Sequence, residues 1–374
     1  MSSLKTNSAS LMNIFDSCPD PRKCRIKHHL TDVIAIVVFG TICGEDSWDG
    51  LEDWAIDKRA LLDQYLSLKQ GIPSADTLRR VMERLDPKAF LQAFIFWSEE
   101  LTKRLPGQIC IDGKSFNSCN KGKGNLHLVN AWCEQNRITL GSIASEKKGK
   151  EIPCIKELLD NLSLMPGDII SIDAIGCQKE LVKKIQSKKA DYLIALKANQ
   201  GKLRDEVENF FNQAQSAPKY APCECFTYNE KKKSREDTHE IWVSRELDWL
   251  PQKKEWKALN SIIMVKRCWL SKGKKKEEIR YYISSLLEGA EKLGSRIRRH
   301  WSIENEYHWH LDVSFGEEAS LISSKANRNL RVAREIALKF LRRESSKKMG
   351  LKRKMRRCAR SDDYFKKVLL VENI

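Results

Sequence analysis

The chain has 374 residues, 41% hydrophobic and 31% charged, with a formal net charge of +17. That length and apolar content suffice for two or three domains around a buried core and exclude a disordered chain. The positive excess favours a polyanionic partner, because each neutralised phosphate releases a counterion. No apolar run of signal-peptide length opens the sequence. The longest such run, Val33 to Cys43, is shorter than the ~20 residues a membrane span requires. These features lead us to expect a cytoplasmic protein with no membrane partner. Twelve cysteines are scattered with no C-x-x-C pair, which reads as reduced, partly buried thiols rather than a zinc site.

Residues 1 to about 28 are polar and turn-prone around "CPDPRK". From Leu30 to about Leu105 apolar residues recur at three-four spacing, so a helical N-terminal domain over 1–105 is expected, with a helix start at Ser74. Within it, "PSADTLRRVMERL" matches the second helix of a helix-turn-helix unit, although plain helix packing explains it equally well. At Pro106-Gly107 the character changes. Three short β-rich segments, a helix, a strand, a helix, a strand and a helix follow in order. This is the element order of a ribonuclease-H-like α/β sheet. A β-rich stretch at about 217–287, with lysine-rich turns "EKKKSRED" and "SKGKKKEE", follows. The α/β domain is expected to end at 341. From Arg342 to Lys367 there are twelve Lys or Arg against three acids, a net of +9. Residues 342–374 therefore read as a basic tail that contacts nucleic acid, with Lys352, Arg353, Arg356 and Arg357 among its contacts.

Two predicted strands end alike, "QICID" at Asp112 and "IISID" at Asp173. A carboxylate beside β-branched residues costs several kcal/mol if buried unpaired, so such acids are often metal ligands. If "GSRIRRHWSIENEYHW" is an α-helix, His300, Glu304, His308 and Asp312 share a face, and Trp301 and Trp309 point into the protein. Asp112, Asp173 and Glu304 are then the type and number of acids that hold two Mg²⁺ or Mn²⁺ ions for attack on a phosphodiester. Two rival motifs fail on spacing. "GQICIDGKS" places five residues, not four, between its glycines, which excludes a P-loop. His308-x-His310 diverges on a helix and HExxH is absent, which argues against zinc.

In order and spacing, "DPRK", "PSADTLRRVMERLD", "IDGKSF", "HLVNAW", "ISIDAIGCQ", "ADYLIALKANQ" and "RHWSIENEYHWHLDVSFGEEAS" resemble the DDE transposases of bacterial insertion sequences. The branch is the one that contains the H-repeat-associated proteins, and the likeness runs from about residue 15 to 370. The resemblance implies a ribonuclease-H-like core with a β-rich insertion and a metal-binding triad of Asp112, Asp173 and Glu304. It also implies two divalent ions per site, double-stranded DNA as partner, a homodimer in the DNA complex and association with the nucleoid when bound. The expected activity is cleavage at terminal inverted repeats and transfer of 3′ ends to a target. A decayed DNA-binding derivative and a general metal nuclease are the alternatives. The wider family pattern Tyr-x2-Arg-x3-Glu-x6-Lys falls on Ile297, His300, Glu304 and Leu311. The basic partner of the Glu is thus open among Arg298, Arg299, His300 and His308, with Lys114 a further candidate for the scissile strand, and all five are expected to contact DNA. "KGKEI" keeps Lys148, Glu151 and Ile152 of the branch's pre-helix motif.

Overall fold

The computed structural model describes residues 12, 15–24, 26–102, 104–116, 126–145, 151–232, 235–271, 274–317 and 324–369. Lys148 and the turn tips at 233–234 and 272–273 lie outside the described residues. From Leu30 onward the described residues open with helices α1 (Leu30–Cys43), α2 (Trp48–Asp57), α3 (Arg59–Leu62), α4 (Ala75–Arg84) and α5 (Pro87–Thr102). Helix α1 is buried on every side, which accounts for its unbroken apolar run. Helix α4 starts at Ser74, whose side chain accepts from the Thr77 amide. It buries Leu78, Val81 and Met82.

The sheet follows. Its strands are β1 (Gln108–Phe116), β2 (Leu126–Cys133), β3 (Ile138–Ser145), β4 (Ile169–Ile172), β5 (Asp191–Leu196), β6 (Glu224–Lys232), β7 (Arg235–Ser244), β8 (Ser261–Ser271) and β9 (Lys274–Ser284). They form one nine-stranded sheet in the order β3-β2-β1-β4-β5-β9-β8-β7-β6. β1, β4 and β5 run parallel, and the outer strands pair antiparallel. The β-rich stretch is a four-strand meander that extends the same sheet through β9 on β5. Helices α6 (Glu151–Asn161), α7 (Lys179–Ser187) and α8 (Gly201–Ser216) cover one face. Helix α9 (Ala290–His300) covers the other, with Leu293 and Ile297 against Ile169, Leu193 and Ile263. No helix among the described residues is long and apolar enough to cross a membrane.

The C-terminal segment differs from the expected tail. Helices α10 (Ser324–Arg343), α11 (Leu351–Arg360) and α12 (Asp362–Leu369) pack onto α1–α5 and share their core. Phe365 meets Phe39 and Trp54 at ring distances of 5.5 and 6.2 Å. Leu351, Met355, Cys358, Phe365 and Val368 form a sparse stripe at helical spacing that the basic residues hide in composition. Lys352, Arg353 and Arg356 remain exposed, whereas Arg357 lies over the Tyr364 ring at 4.4 Å.

Candidate catalytic site

Strand alternation sets the first two acids. Ile109 and Ile111 of β1, and Ile170 and Ile172 of β4, point into the core under α6–α8. Asp112 and Asp173 therefore point to the opposite face. The β1–β4 register ends with Ile111 opposite Ile172, so the two aspartates stand one step beyond it. Adjacent strands are about 4.8 Å apart, so both emerge side by side at the C-terminal edge of parallel strands, where α/β sheets hold their ligands. Asp173 accepts from the Ile175 amide at 3.1 Å and caps a short 3-10 turn, Ala174–Gly176. A Cβ on Gly176 would lie 2.4 Å from Ile172 Cγ2, so the turn folds back on its strand as only glycine permits.

The third acid arrives from the far side. Gln108 Nε2 donates to the Arg296 carbonyl (2.9 Å) and to Ser171 Oγ (3.1 Å). Ser171 Oγ lies 3.0 Å from His300 Nδ1. These bonds pin the end of α9 over β1 and β4. Beyond it the chain widens into π-helical turns, Ile303–His308 and His310–Ser314. Such turns recur at functional sites. Ile303, Tyr307, Leu311 and Phe315 enter the helical core, and Tyr307 stacks on Trp132 at 4.9 Å. Trp301 and Trp309, expected to point inward, are 38% and 50% exposed. In an α-helix a strict four-residue stripe drifts by about 40° per step, and π turns remove that drift. The buried stripe is thus 303-307-311-315, and Glu304 stands beside it, exposed to the site.

Asp112, Asp173 and Glu304 line one cavity of about 390 Å³ with His300, Lys197, Arg204 and Arg280. Among the described residues no lysine or arginine forms an ion pair with any of the three acids. Burial pushes the Asp112 carboxyl up to about 7, helped by the charges of Glu304, Asp173 and Glu151 and opposed by the Gly113 amide. Such a site gathers carboxylates that no lysine or arginine among the described residues ion-pairs and offers hard oxygen donors, the complement of Mg²⁺ or Mn²⁺. The three carboxylates fit the implied ions.

The expected DNA contacts divide. Arg298 and Arg299 are exposed, Arg298 over the Tyr228 ring at 5.5 Å and Arg299 3.8 Å from Glu134. Lys114 and His308 are buried instead, and His300 lines the acidic cavity with Nδ1 against Ser171. Lys114 is 9% exposed and pairs with Asp312 and with Glu317 (3.7 Å). Burial lowers His300 to about 4 and His308 to about 2, the latter helped by Arg331 and Lys114. A ring held neutral adds no positive charge toward phosphate.

A buried network lies behind them. Arg331 of α10 donates to Glu317 (3.1 Å), Glu335 (3.3 Å), the Tyr307 hydroxyl (3.1 Å) and Asn130 Oδ1 (3.4 Å). Sequence reading missed Arg331, Asn130, Ser171 and Gln108. Asn130 sits inside "HLVNAW", the one signal that pointed near it. A separate group, Glu230, Asp237 and His239 on β6 and β7, has ligand-type atoms within 4.8 Å of one another. The Arg267 guanidinium already holds Asp237 at 2.7 Å.

The raised Asp112 has a testable sign. Its folded value of about 7 exceeds the ordinary unfolded value of about 3.9, so its stabilising share is full below pH 4 and is lost as pH rises through 7. In metal-free protein at pH 8, Asp112→Asn removes a penalty of about 3–4 kcal/mol. The variant is expected to melt a few degrees higher than wild type at pH 8 and to show no such gain at pH 4. Added Mg²⁺ should raise the wild-type melting temperature and not that of the variant. Equal responses to Mg²⁺ would remove Asp112 from the metal site.

A family model described as "Transposase DDE domain" matches residues 103–338, and one described as "DDE_Tnp_1-associated" matches 12–98. "Putative transposase YncI" of Escherichia coli O157:H7 is 37% identical over 379 residues, covering 96% of this chain and 94% of that protein. "H repeat-associated putative transposase YhhI" of Escherichia coli K12 is 33% identical, covering 96% and 97%. "Inactive transposase YbfQ" of the same strain is 31% identical over 75 residues, 20% of this chain and 89% of that protein.

Proposed function

The chain belongs to the DDE transposases of insertion sequences, and from that premise we propose that it binds the terminal inverted repeats of its own element, cuts the ends and joins the freed 3′-hydroxyls to target DNA. The observation that carries this reading is the convergence of Asp112, Asp173 and Glu304 on one cavity with no cationic partner among the described residues. Two divalent ions held by these carboxylates supply charge stabilisation for in-line displacement at phosphorus. The protein's own part is to orient the strand. Arg204, Arg280 and Lys197 line the same cavity and suit the flanking phosphates. The core is read as ribonuclease-H-like, with the β6–β9 meander as its insertion and the N-terminal helices as a DNA-binding unit. Two copies would act together, one on each end.

The test is a strand-transfer assay on DNA carrying the flanking repeats, with Mg²⁺, comparing wild type with Asp173→Ala. Joined product from wild type alone supports the reading. Binding without any cleavage by wild type would favour a decayed derivative, and cleavage of DNA lacking the ends a general nuclease.

DNA affinity gives a further expectation. Lys352, Arg353 and Arg356 form an exposed basic face on α11. For every phosphate left without its cation, the slope of log affinity against log salt flattens by roughly 0.9. Replacing all three with alanine should flatten it by up to about 3 on any duplex, measured by fluorescence anisotropy across a salt series. An unchanged slope would place the DNA elsewhere.

A further inference from the structure

Beneath Asp112 runs a chain of buried polar groups whose hydrogen bonds have a forced direction. Arginine has only donors, so the Asn130 oxygen facing Arg331 Nη2 at 3.4 Å must accept. Ser142 Oγ donates to the same oxygen at 2.9 Å. With Oδ1 committed, the amide nitrogen of Asn130 faces His308 Nε2 at 3.3 Å and donates to it. A second N–H at Nε2 would oppose that donor, so Nε2 carries the lone pair. The ring proton therefore sits on Nδ1. Nδ1 is the nitrogen that faces Asp112, 3.8 Å from Oδ2. Asn130 is fully buried, and Arg331 and His308 nearly so, so water does not reset these choices.

We propose that His308 is a positioning residue for Asp112: fixed by Asn130 in its Nδ1–H form, it presents an N–H to one carboxylate oxygen and leaves the other free for a divalent ion. The gap of 3.8 Å closes to hydrogen-bond length with a movement of about 1 Å. Partners of this kind orient a liganding carboxylate, and their loss typically costs 10–100-fold in metal affinity or activity. The metal half of the proposal rests on the transposase reading; the tautomer does not.

The test therefore has two arms. In metal-free, full-length protein labelled with ¹⁵N-histidine, long-range ¹H–¹⁵N spectra report the tautomer of each ring, and the His308 signal is identified by its loss in His308→Asn. The Nδ1–H pattern is expected; an Nε2–H or doubly protonated ring overturns the proposal whatever the protein's activity. Asn130→Asp keeps an acceptor for Arg331 but no donor for Nε2, and should switch the ring to Nε2–H. In the second arm, end cleavage is followed against Mg²⁺ concentration. His308→Asn places an amide N–H where Nδ1–H stood, whereas His308→Gln reaches the Nε2 place and leaves Asp112 without its donor. The Gln variant should need about 10–100-fold more Mg²⁺ for half-maximal rate, and the Asn variant should stay within about threefold of wild type. Equal behaviour of the two variants overturns the positioning role. Loss of cleavage in wild type itself would instead sink the transposase reading.

Discussion

Glu304→Gln will bind end-containing DNA and fail to cut it. The substitution keeps the shape of the side chain and removes the charge that the π-helical segment brings to the cavity floor formed by Asp112 and Asp173. A loss of about a thousandfold or more in cleavage rate is expected, about 4 kcal/mol at 1.36 kcal/mol per decade. Affinity for the duplex should hold within about twofold, because binding is carried by basic side chains on phosphate, which the change leaves in place. The measurement is single-turnover cleavage of labelled ends with Mg²⁺ beside a gel-shift titration of the same DNA. Wild-type cutting by the variant would show that Glu304 is not part of the chemistry. Asp173→Ala should match it, since both acids serve one site.

Arg331→Ala should destabilise the protein by about 3–5 kcal/mol, the usual consequence of leaving buried charges without their partner. Arg331 is 4% exposed, and removing it leaves Glu335 (4% exposed) with the Tyr307 hydroxyl but without this cation and weakens the hold on Glu317 (2%). The double change Arg331→Met with Glu335→Gln should recover much of the loss, because it removes charge from both sides. Urea midpoints of the metal-free protein check this, with tryptophan fluorescence as the signal. Trp132 stacks on Tyr307 beside the network and reports its opening. An unshifted midpoint for Arg331→Ala would mean that water reaches the carboxylates and the network carries little energy.

The shared placement of the candidate acids was legible in the sequence because a charged residue after a run of β-branched or small residues is rare and expensive. Asp112 and Asp173 each end such a run, and strand alternation put both on one face. Glu304 was legible through its spacing from His300 and His308, but the orientation of its neighbours was not. An α-helix places Trp301 and Trp309 on the inner face, and the π turns turn them out and bring Tyr307 and Leu311 in. Nothing in a local pattern distinguishes the two windings; contact with the helical core selects one. The fate of residues 342–374 was hidden for another reason. Lysine and arginine dominate α11, yet its few apolar residues join the core beside α12, whose Phe365 docks on Phe39 and Trp54. Arg331, Glu335 and Lys339 stand four residues apart on one helix, and each is buried. Burial of a charge depends on partners hundreds of residues away, which periodicity cannot see.

The helical core joins residues from both ends of the chain, Phe15 to Trp97 and Ile303 to Leu369. A ribosome delivers the first of these long before the second. Folding units form as they emerge, and contacts of such long separation wait for the chain that completes them. The sheet with Asp112 and Asp173 can assemble early, but the wall that seats Glu304 and holds Arg331 is finished only when α12 has been synthesised. Until then the two sheet acids stand beside a helical core that still lacks its last members. Seating of the third acid beside the other two is therefore a late event, set by the order in which the core is built.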